Sequence, residues 1–362
     1  MYYFVLLLLL ISSLYEIATR SQSKFAFISI YIIMTLMTIF RFGQLGDYFT
    51  YYYLYTNPLL MRDPISIIYA SFLNILGFDY QGFITITELI CMGLAFPFFY
   101  KTCQRSCIAL LVFYCYTWML CPMSALRQAI CLSLMLFSYP LLVEGKRNLF
   151  LGVVLFGSFI HLSFFSVLLI GIFYDKKWFD HPLMLYIVLL STLLMFSGAD
   201  LLSEFRTYFA EDRSVSFDEQ MPFANLFQLF LRLLIILPIF LFKPDYWSNG
   251  YFAKSICIIG YILYCLLSAD LLVAGRMEYF FRTFLCLFVA YLSFNCTSKF
   301  RRTVLFFFVL VHVILFFKNI GGAISQGDYK GSVTIFNYPY ISIFDKQELE
   351  YYSTMEKYGY KE

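Results

Sequence analysis

Long apolar stretches follow one another from end to end of this chain, separated by short polar loops. About 20 apolar residues carry an α-helix across the hydrocarbon of a bilayer. Backbone polar groups in lipid must be paired within the spanning structure, so repeated apolar runs of this length point to helices. Of the 362 residues, 61% are hydrophobic and 14% charged, against about 25% charged in soluble domains. A single water-soluble core could not bury that much apolar surface. The fold class expected is therefore an all-α polytopic membrane protein, one integral membrane domain over 1–362. Disordered, collagen-like and disulfide-scaffold classes are excluded. The net charge of +3 is spread between the apolar runs, so no basic surface for nucleic acid is formed.

The apolar runs fall at 3–19, 25–40, 82–100, 107–121, 126–143, 149–162, 163–174, 182–198, 223–242, 255–273, 279–296 and 303–318, about 12 membrane helices in all. The run at 64–77 is short, bounded by Pro64 and Gly77, and is expected not to cross. The run at 149–174 is long for one span and short for two. Charge decides between these. If 149–174 is a bent pair of short membrane-entering segments hinged near His161, then Arg20, Lys24, Lys101, Arg105, Lys146, Arg147, Lys176, Lys177, Lys243, Lys254, Lys299, Arg301 and Arg302 share one face. The positive-inside rule makes that face cytoplasmic. The outer face then holds 41–53, the start of the Arg127 helix, the His161 hinge, a charged loop at 199–222, the turn at 276–278 and a tail over 319–362. An active site is expected there, with the 199–222 loop either capping it or merely connecting two spans. Neither a 20–50-residue repeat nor an inverted transporter repeat is evident.

Ionisable groups near or within the bilayer are costly and are candidate functional groups, the ordinary alternative being a snorkelling helix end. Arg41 opens Arg41-Phe42-Gly43-Gln44-Leu45-Gly46-Asp47-Tyr48, where two glycines permit tight turns. Asp47 with Tyr48, Tyr51, Tyr52 and Tyr53 suits a glycan; an interfacial aromatic belt would read the same way. Arg127, in Met123-Ser124-Ala125-Leu126-Arg127-Gln128, lies near a helix start, where fixed guanidinium donors and backbone amides suit an anion. His161, one of three His in the chain, is a possible general base or a hydrogen-bonded helix-end residue. Arg232 lies about nine residues inside its span, too deep to snorkel, and must face protein or a wet cavity. Arg276 and Arg282 bracket an outer turn with Glu278; both could join an anion site, or Arg282 could simply pair with Glu278 at i,i+4. The ten cysteines lie mostly in apolar runs as small hydrophobes. They form no zinc spacing, and three scattered His make no metal motif. Walker A, dinucleotide, Asp-X-Asp, Gly-X-Ser-X-Gly and His-Glu-X-X-His motifs are all missing, which disfavours a nucleotide-sugar enzyme and two common hydrolase types.

The same residues resemble the EpsG-like family of bacterial Wzy-type surface-polysaccharide polymerases. The matching pieces occur in order: Arg41-Phe42-Gly43 with Gly46-Asp47-Tyr48 and Tyr52; Ser124-Ala125-Leu126-Arg127-Gln128; Phe159-Ile160-His161-Leu162-Ser163; Gly275-Arg276-Met277-Glu278-Tyr279-Phe280; and Tyr338-Pro339-Tyr340-Ile341-Ser342-Ile343-Phe344. One departure follows the His motif, where Phe164 and Phe165 replace the usual small residue.

The resemblance implies a multi-pass glycosyltransferase of the bacterial inner membrane, an O-antigen, capsule or exopolysaccharide polymerase. It would join undecaprenyl-diphosphate-linked oligosaccharides, as both donor and acceptor, on the periplasmic side. Membrane lipids, a chain-length regulator and a flippase are the partners it suggests. No cofactor is expected: arginines in place of a metal would neutralise the departing diphosphate. Arg127, Arg276, Arg232 and Arg41 are the expected diphosphate ligands. His161 or Asp47 is the expected base, with Tyr48, Tyr52 and Gln128 on the glycan. A polysaccharide flippase or other transporter, an O-antigen ligase and a membrane O-acyltransferase are the competing readings.

Overall fold

In the computed structural model the described residues are 1–196, 222–268, 271–295, 298–325 and 332–345. The expected 199–222 loop, except its last residue, and the tail beyond 345 lie outside them. The helices run α1 Tyr2–Thr19, α2 Lys24–Phe40, α3 Tyr48–Thr56, α4 Pro64–Ile75, α5 Tyr80–Pro97, α6 Ser106–Phe113, α7 Leu126–Val143, α8 Arg147–Ser158, α9 Leu168–Phe173, α10 Pro182–Phe196, α11 Pro222–Ile236, α12 Asn249–Leu266, α13 Leu271–Arg282, α14 Leu285–Phe294 and α15 Lys299–Ser325. Turns of π-helix at Phe98–Thr102 and Tyr114–Trp118 prolong α5 and α6. Among the described residues there is no strand, only an isolated bridge between Arg41 and Ser342.

Among the described residues, every predicted span falls mostly on helix. Six stretches among the described residues are long and apolar enough to cross a membrane: Tyr2–Thr19, Tyr80–Thr102, Leu126–Val143, Asn249–Leu266, Val273–Phe294 and Lys299–Ser325. The other predicted spans are apolar helices of 10–17 residues. The chain is thus a multi-pass helical membrane protein. Local chemistry sets the short ones. α4 starts on Asp63 and Pro64, with proline at the position where no helical N–H is needed. It stops at Gly77, whose φ of 80° is left-handed. At the C-terminal end, α15 runs seven residues past the predicted boundary at 318. Ile320 and Ala323 are buried there, and Asn319 donates from Nδ2 to the Cys115 carbonyl at 3.1 Å. The packed neighbour outweighs the helix-breaking Gly321 and Gly322.

The centre of the bundle is α6, α12 and α14. All eight residues of α6 are buried, and α12 and α14 are almost as enclosed. Helices apolar on all sides belong in such a position.

Residues 147–173 form the hairpin that the charge argument requires. α8 ends in a turn at His161, a 3-10 segment Leu162–Val167 follows, and α9 returns. The Tyr174 hydroxyl donates to the Leu142 carbonyl at 3.0 Å and Arg147 Nη2 to the Ile172 carbonyl at 3.5 Å. The loops bearing Lys146 and Lys176 therefore sit at the same end. The hairpin folds so tightly because Gly157 faces the Phe164 ring: a Cβ at 157 would collide with that ring. Phe164, the departure from the family's small residue, is thus accommodated by a glycine one turn before the hinge. Gly157→Val is expected to force the two arms apart, costing about 1–3 kcal/mol as overpacking usually does. A lowered melting temperature in detergent, recovered by adding Phe164→Ala, checks this.

Candidate functional site

At the opposite end from those basic loops, four segments converge. The first is the turn after α2, where Gly43, Leu45 and Gly46 all have φ near 60° (62°, 61° and 62°). Two glycines make this left-handed course affordable, and it delivers Asp47 to the start of α3. The turn is held by the C-terminal strap. Phe42 N–H donates to the Ile341 carbonyl at 3.0 Å, and Ile343 N–H to the Phe40 carbonyl at 2.9 Å. Gln44 donates to the Pro339 carbonyl at 2.7 Å and accepts from Ile341 N–H at 2.8 Å.

The second is the N-terminus of α7, which begins at Leu126, so Arg127 lies in the first turn. Its guanidinium pairs with the Asp63 carboxylate. The Tyr51 hydroxyl accepts from the Arg127 backbone N–H at 3.4 Å and from Nε at 3.5 Å. Burial pushes the Tyr51 phenol above its usual range, more than Arg127 pulls it down, so it stays neutral. The third is α4, which brings Asp63. Its start hangs on the hinge: Ile65 N–H donates to the Phe159 carbonyl at 3.3 Å and Ser66 Oγ to the Ile160 carbonyl at 3.1 Å.

The fourth is the hinge itself. His161 lies between α8 and the 3-10 segment, outside both. Its Nδ1 accepts from Ser163 N–H at 3.2 Å, with Ser163 Oγ at 2.8 Å. A backbone N–H only donates, so Nδ1 carries the lone pair and Nε2 the proton. Burial, and then the guanidiniums of Arg127 and Arg276, hold the imidazole pKa down to about 3. The ring is therefore a neutral Nε2–H donor.

These segments, with Arg276 from α13, line a cleft of about 400 Å³ formed by Asp47, Thr50, Tyr51, Leu54, Ala125, Arg127, Gln128, His161 and Arg276. Gln128 is 3% exposed and its Nε2 makes no hydrogen bond. Five of the expected ligand and base residues thus meet, Asp47, Arg127, Gln128, His161 and Arg276, and Tyr51 of the same aromatic run joins them.

Four do not. Arg41 turns into the bundle, 3.5 Å from Glu88, with side-chain exposures of 1% and 0%; sealed there, it holds α2 to α5. Arg232 faces protein, as its depth required, but in a different cavity. Its Nε donates to Glu278 Oε2 at 2.8 Å, and its guanidinium lies 3.8 Å from the centre of the Tyr264 ring. Tyr48 and Tyr52 pack edge-on against Tyr80, with ring centres 5.2 and 5.3 Å apart. Helical period explains this: Asp47, Thr50, Tyr51 and Leu54 share the cleft face of α3, leaving Tyr48, Tyr52 and Tyr55 for the face toward α5. Asp63 and Glu88 are the residues that sequence reading missed. Asp63 was signalled by Asp63-Pro64 ahead of an apolar run, a helix-start pattern; Glu88 by a lone carboxylate inside a span. Among the described residues, no three His, Cys, Asp or Glu side chains converge as a metal site.

Two measurements check these assignments. Glu88→Leu should destabilise the protein by about 3–5 kcal/mol by stranding Arg41, while Arg41→Met with Glu88→Leu should recover most of that loss; detergent unfolding reads both. For His161, the unfolded chain binds a proton near pH 6.5 that the folded chain refuses until about pH 3. Stability is then fully present above pH 6.5 and falls as the pH drops below it, by about 2 kcal/mol at pH 5. His161→Gln should flatten that part of the melting-temperature profile.

The EpsG family profile matches residues 24–342, an interval that runs from the start of α2 to the strap and contains every cleft residue. No curated protein and no solved structure matches the chain. The protein belongs to the EpsG family, the Wzy-type polymerase-like family that its ordered motifs resemble.

Proposed function

We propose that the protein is a polysaccharide polymerase that joins undecaprenyl-diphosphate-linked oligosaccharide repeat units at this cleft, on the periplasmic side of the inner membrane. The observation that carries the reading is the convergence of Arg127, Arg276, His161, Gln128 and Asp47 on one cleft. Two guanidiniums and an imidazole N–H suit a diphosphate, while a carboxylate and a buried amide suit sugar hydroxyls.

The chemistry assigned is one displacement. A hydroxyl oxygen of the acceptor's terminal sugar bonds to the anomeric carbon of the donor glycan. The bond from that carbon to the phosphate oxygen breaks, and the diphosphate leaves with the electron pair. Arg127 and Arg276 neutralise the charge that grows on the leaving group, the kind of interaction that lowers a barrier most. His161 donates a hydrogen bond from Nε2–H to a phosphate oxygen and keeps its proton. With Nδ1 occupied by Ser163, the imidazole is better placed to donate than to accept, so Asp47 is assigned the hydroxyl proton. The Asp63 partner fixes the Arg127 guanidinium before substrate arrives, a form of preorganisation.

The test uses purified full-length protein in lipid nanodiscs with a lipid-diphosphate repeat unit from its host, in chelator and without nucleotide. A glycan ladder is expected. Arg127→Ala and Asp47→Asn should each slow it by about 10²-fold or more, and His161→Ala by about 10-fold or more. Arg41→Met combined with Glu88→Leu should retain it. A ladder unchanged by Arg127→Ala would remove the cleft from the mechanism. Transbilayer movement of the lipid without a ladder would favour a transporter.

A further inference from the structure

A second cationic cavity, of about 490 Å³, lies where α11, α13 and α15 meet the π-turn Tyr114–Trp118. Arg232, Arg282 and Lys318 all line it. They sit within the apolar stretches Leu229–Leu241, Val273–Phe294 and Lys299–Ser325. Among the described residues, the carboxylate paired with this cluster is Glu278, with Arg232 Nε at 2.8 Å and Arg282 Nη1 at 3.9 Å. Lys318 has no carboxylate within ion-pairing range among the described residues. Three cations gathered at one cavity repel one another and favour an anion as a ligand.

Arg282 points to the kind of anion. It is 7% exposed and its guanidinium lies 3.8 Å from the centre of the Tyr116 ring. Nε and Nη2 have no hydrogen-bond partner. These two N–H groups form one edge of the planar guanidinium and point the same way, the fork that meets two oxygens of a phosphate group. Arg41 also keeps unpaired Nε and Nη1 atoms, but it is sealed in the bundle, whereas the unpaired edge of Arg282 belongs to a residue that lines a cavity.

We infer that this cavity binds the phosphate or diphosphate head of a lipid, with Arg282 as the bidentate ligand and Lys318 and Arg232 supplying charge, at a site separate from the Arg127 cleft. Arg276 and Arg282 are on the same helix, about 9 Å apart along its axis, so the two sites are neighbours. The inference concerns binding alone and stands whether or not the cleft polymerises glycan.

The experiment measures binding to full-length protein in nanodiscs of zwitterionic lipid. Three probes are used: inorganic pyrophosphate, farnesyl diphosphate and phosphatidylglycerol. The background is Arg127→Gln with Arg276→Gln, which disables the cleft. One equivalent of an oxyanion probe should still bind there. Adding Arg282→Lys, which keeps the charge but removes the fork, should weaken that binding by about tenfold or more, and Lys318→Gln should weaken it too. If either variant does not fold, the other decides the matter alone. Tight binding of farnesyl diphosphate identifies a prenyl diphosphate as the source of the head group, tight binding of phosphatidylglycerol a phospholipid, and equal binding of pyrophosphate a free anion recognised by its oxygens. No binding of any probe in the cleft-disabled background, or binding untouched by Arg282→Lys and Lys318→Gln, would overturn the inference.

Discussion

A guanidinium inside a membrane bundle must be given a counter-charge, and the way this chain meets that requirement organises its structure. Arg41 meets Glu88, Arg127 meets Asp63, and Arg232 meets Glu278. The three pairs differ in what surrounds them. Arg41 and Glu88 are sealed between α2 and α5 and have no route to a ligand. Arg127 and Asp63 keep 17% and 14% exposure beside a cleft with further polar groups, among them Asp47, Gln128, His161 and Arg276. Arg232, paired with Glu278, lines a cavity with two additional cations. One kind of pair thus serves as a clasp, as the brace of a presented arginine and as part of a cationic pocket, according to what its neighbours leave open.

The cleft depends on a fold-back that no single helix provides. Gly157 lets Phe164 close the α8 hairpin, the closed hairpin places His161, and the hinge carbonyls at Phe159 and Ile160 hold the start of α4. α4 in turn brings Asp63 to Arg127. The strap at 338–343 does similar work on the other side, fixing the left-handed turn that carries Asp47. Side chains distant in sequence are held by backbone hydrogen bonds, which suits a site whose geometry must be ready before substrate arrives. α13 then links the cleft to the second cavity, with Arg276 facing one and Arg282 the other.

Much of this was legible in the chain. The apolar runs mark the helices because lipid leaves the backbone few alternatives. The placement of Lys146, Arg147, Lys176 and Lys177 demanded a bent pair at 149–174, and the hairpin is there. Arg127, His161, Asp47, Gln128 and Arg276 stood out as polar groups where helices end. The four arginines, however, read alike in sequence, because a counter-charge distant along the chain, such as Glu88 for Arg41, has no local signature. Tyr48 and Tyr52 read as glycan contacts because an aromatic run does not say which face of its helix meets the cleft. Asp63 was hidden by a segment too short to be a span. Only the packing of α4 against the His161 hinge gives it a role.

The account's central claim is that the diphosphate of a lipid-linked glycan sits between Arg127 and Arg276. The most direct measurement is an electron cryomicroscopy structure of the protein in nanodiscs with an undecaprenyl-diphosphate-linked repeat unit bound. The account predicts phosphate density within hydrogen-bonding distance of both guanidiniums and His161 Nε2, with the first sugars beside Asp47 and Gln128. Glycan-bearing density at the end that carries Lys146 and Lys176, with none in the cleft, would contradict it.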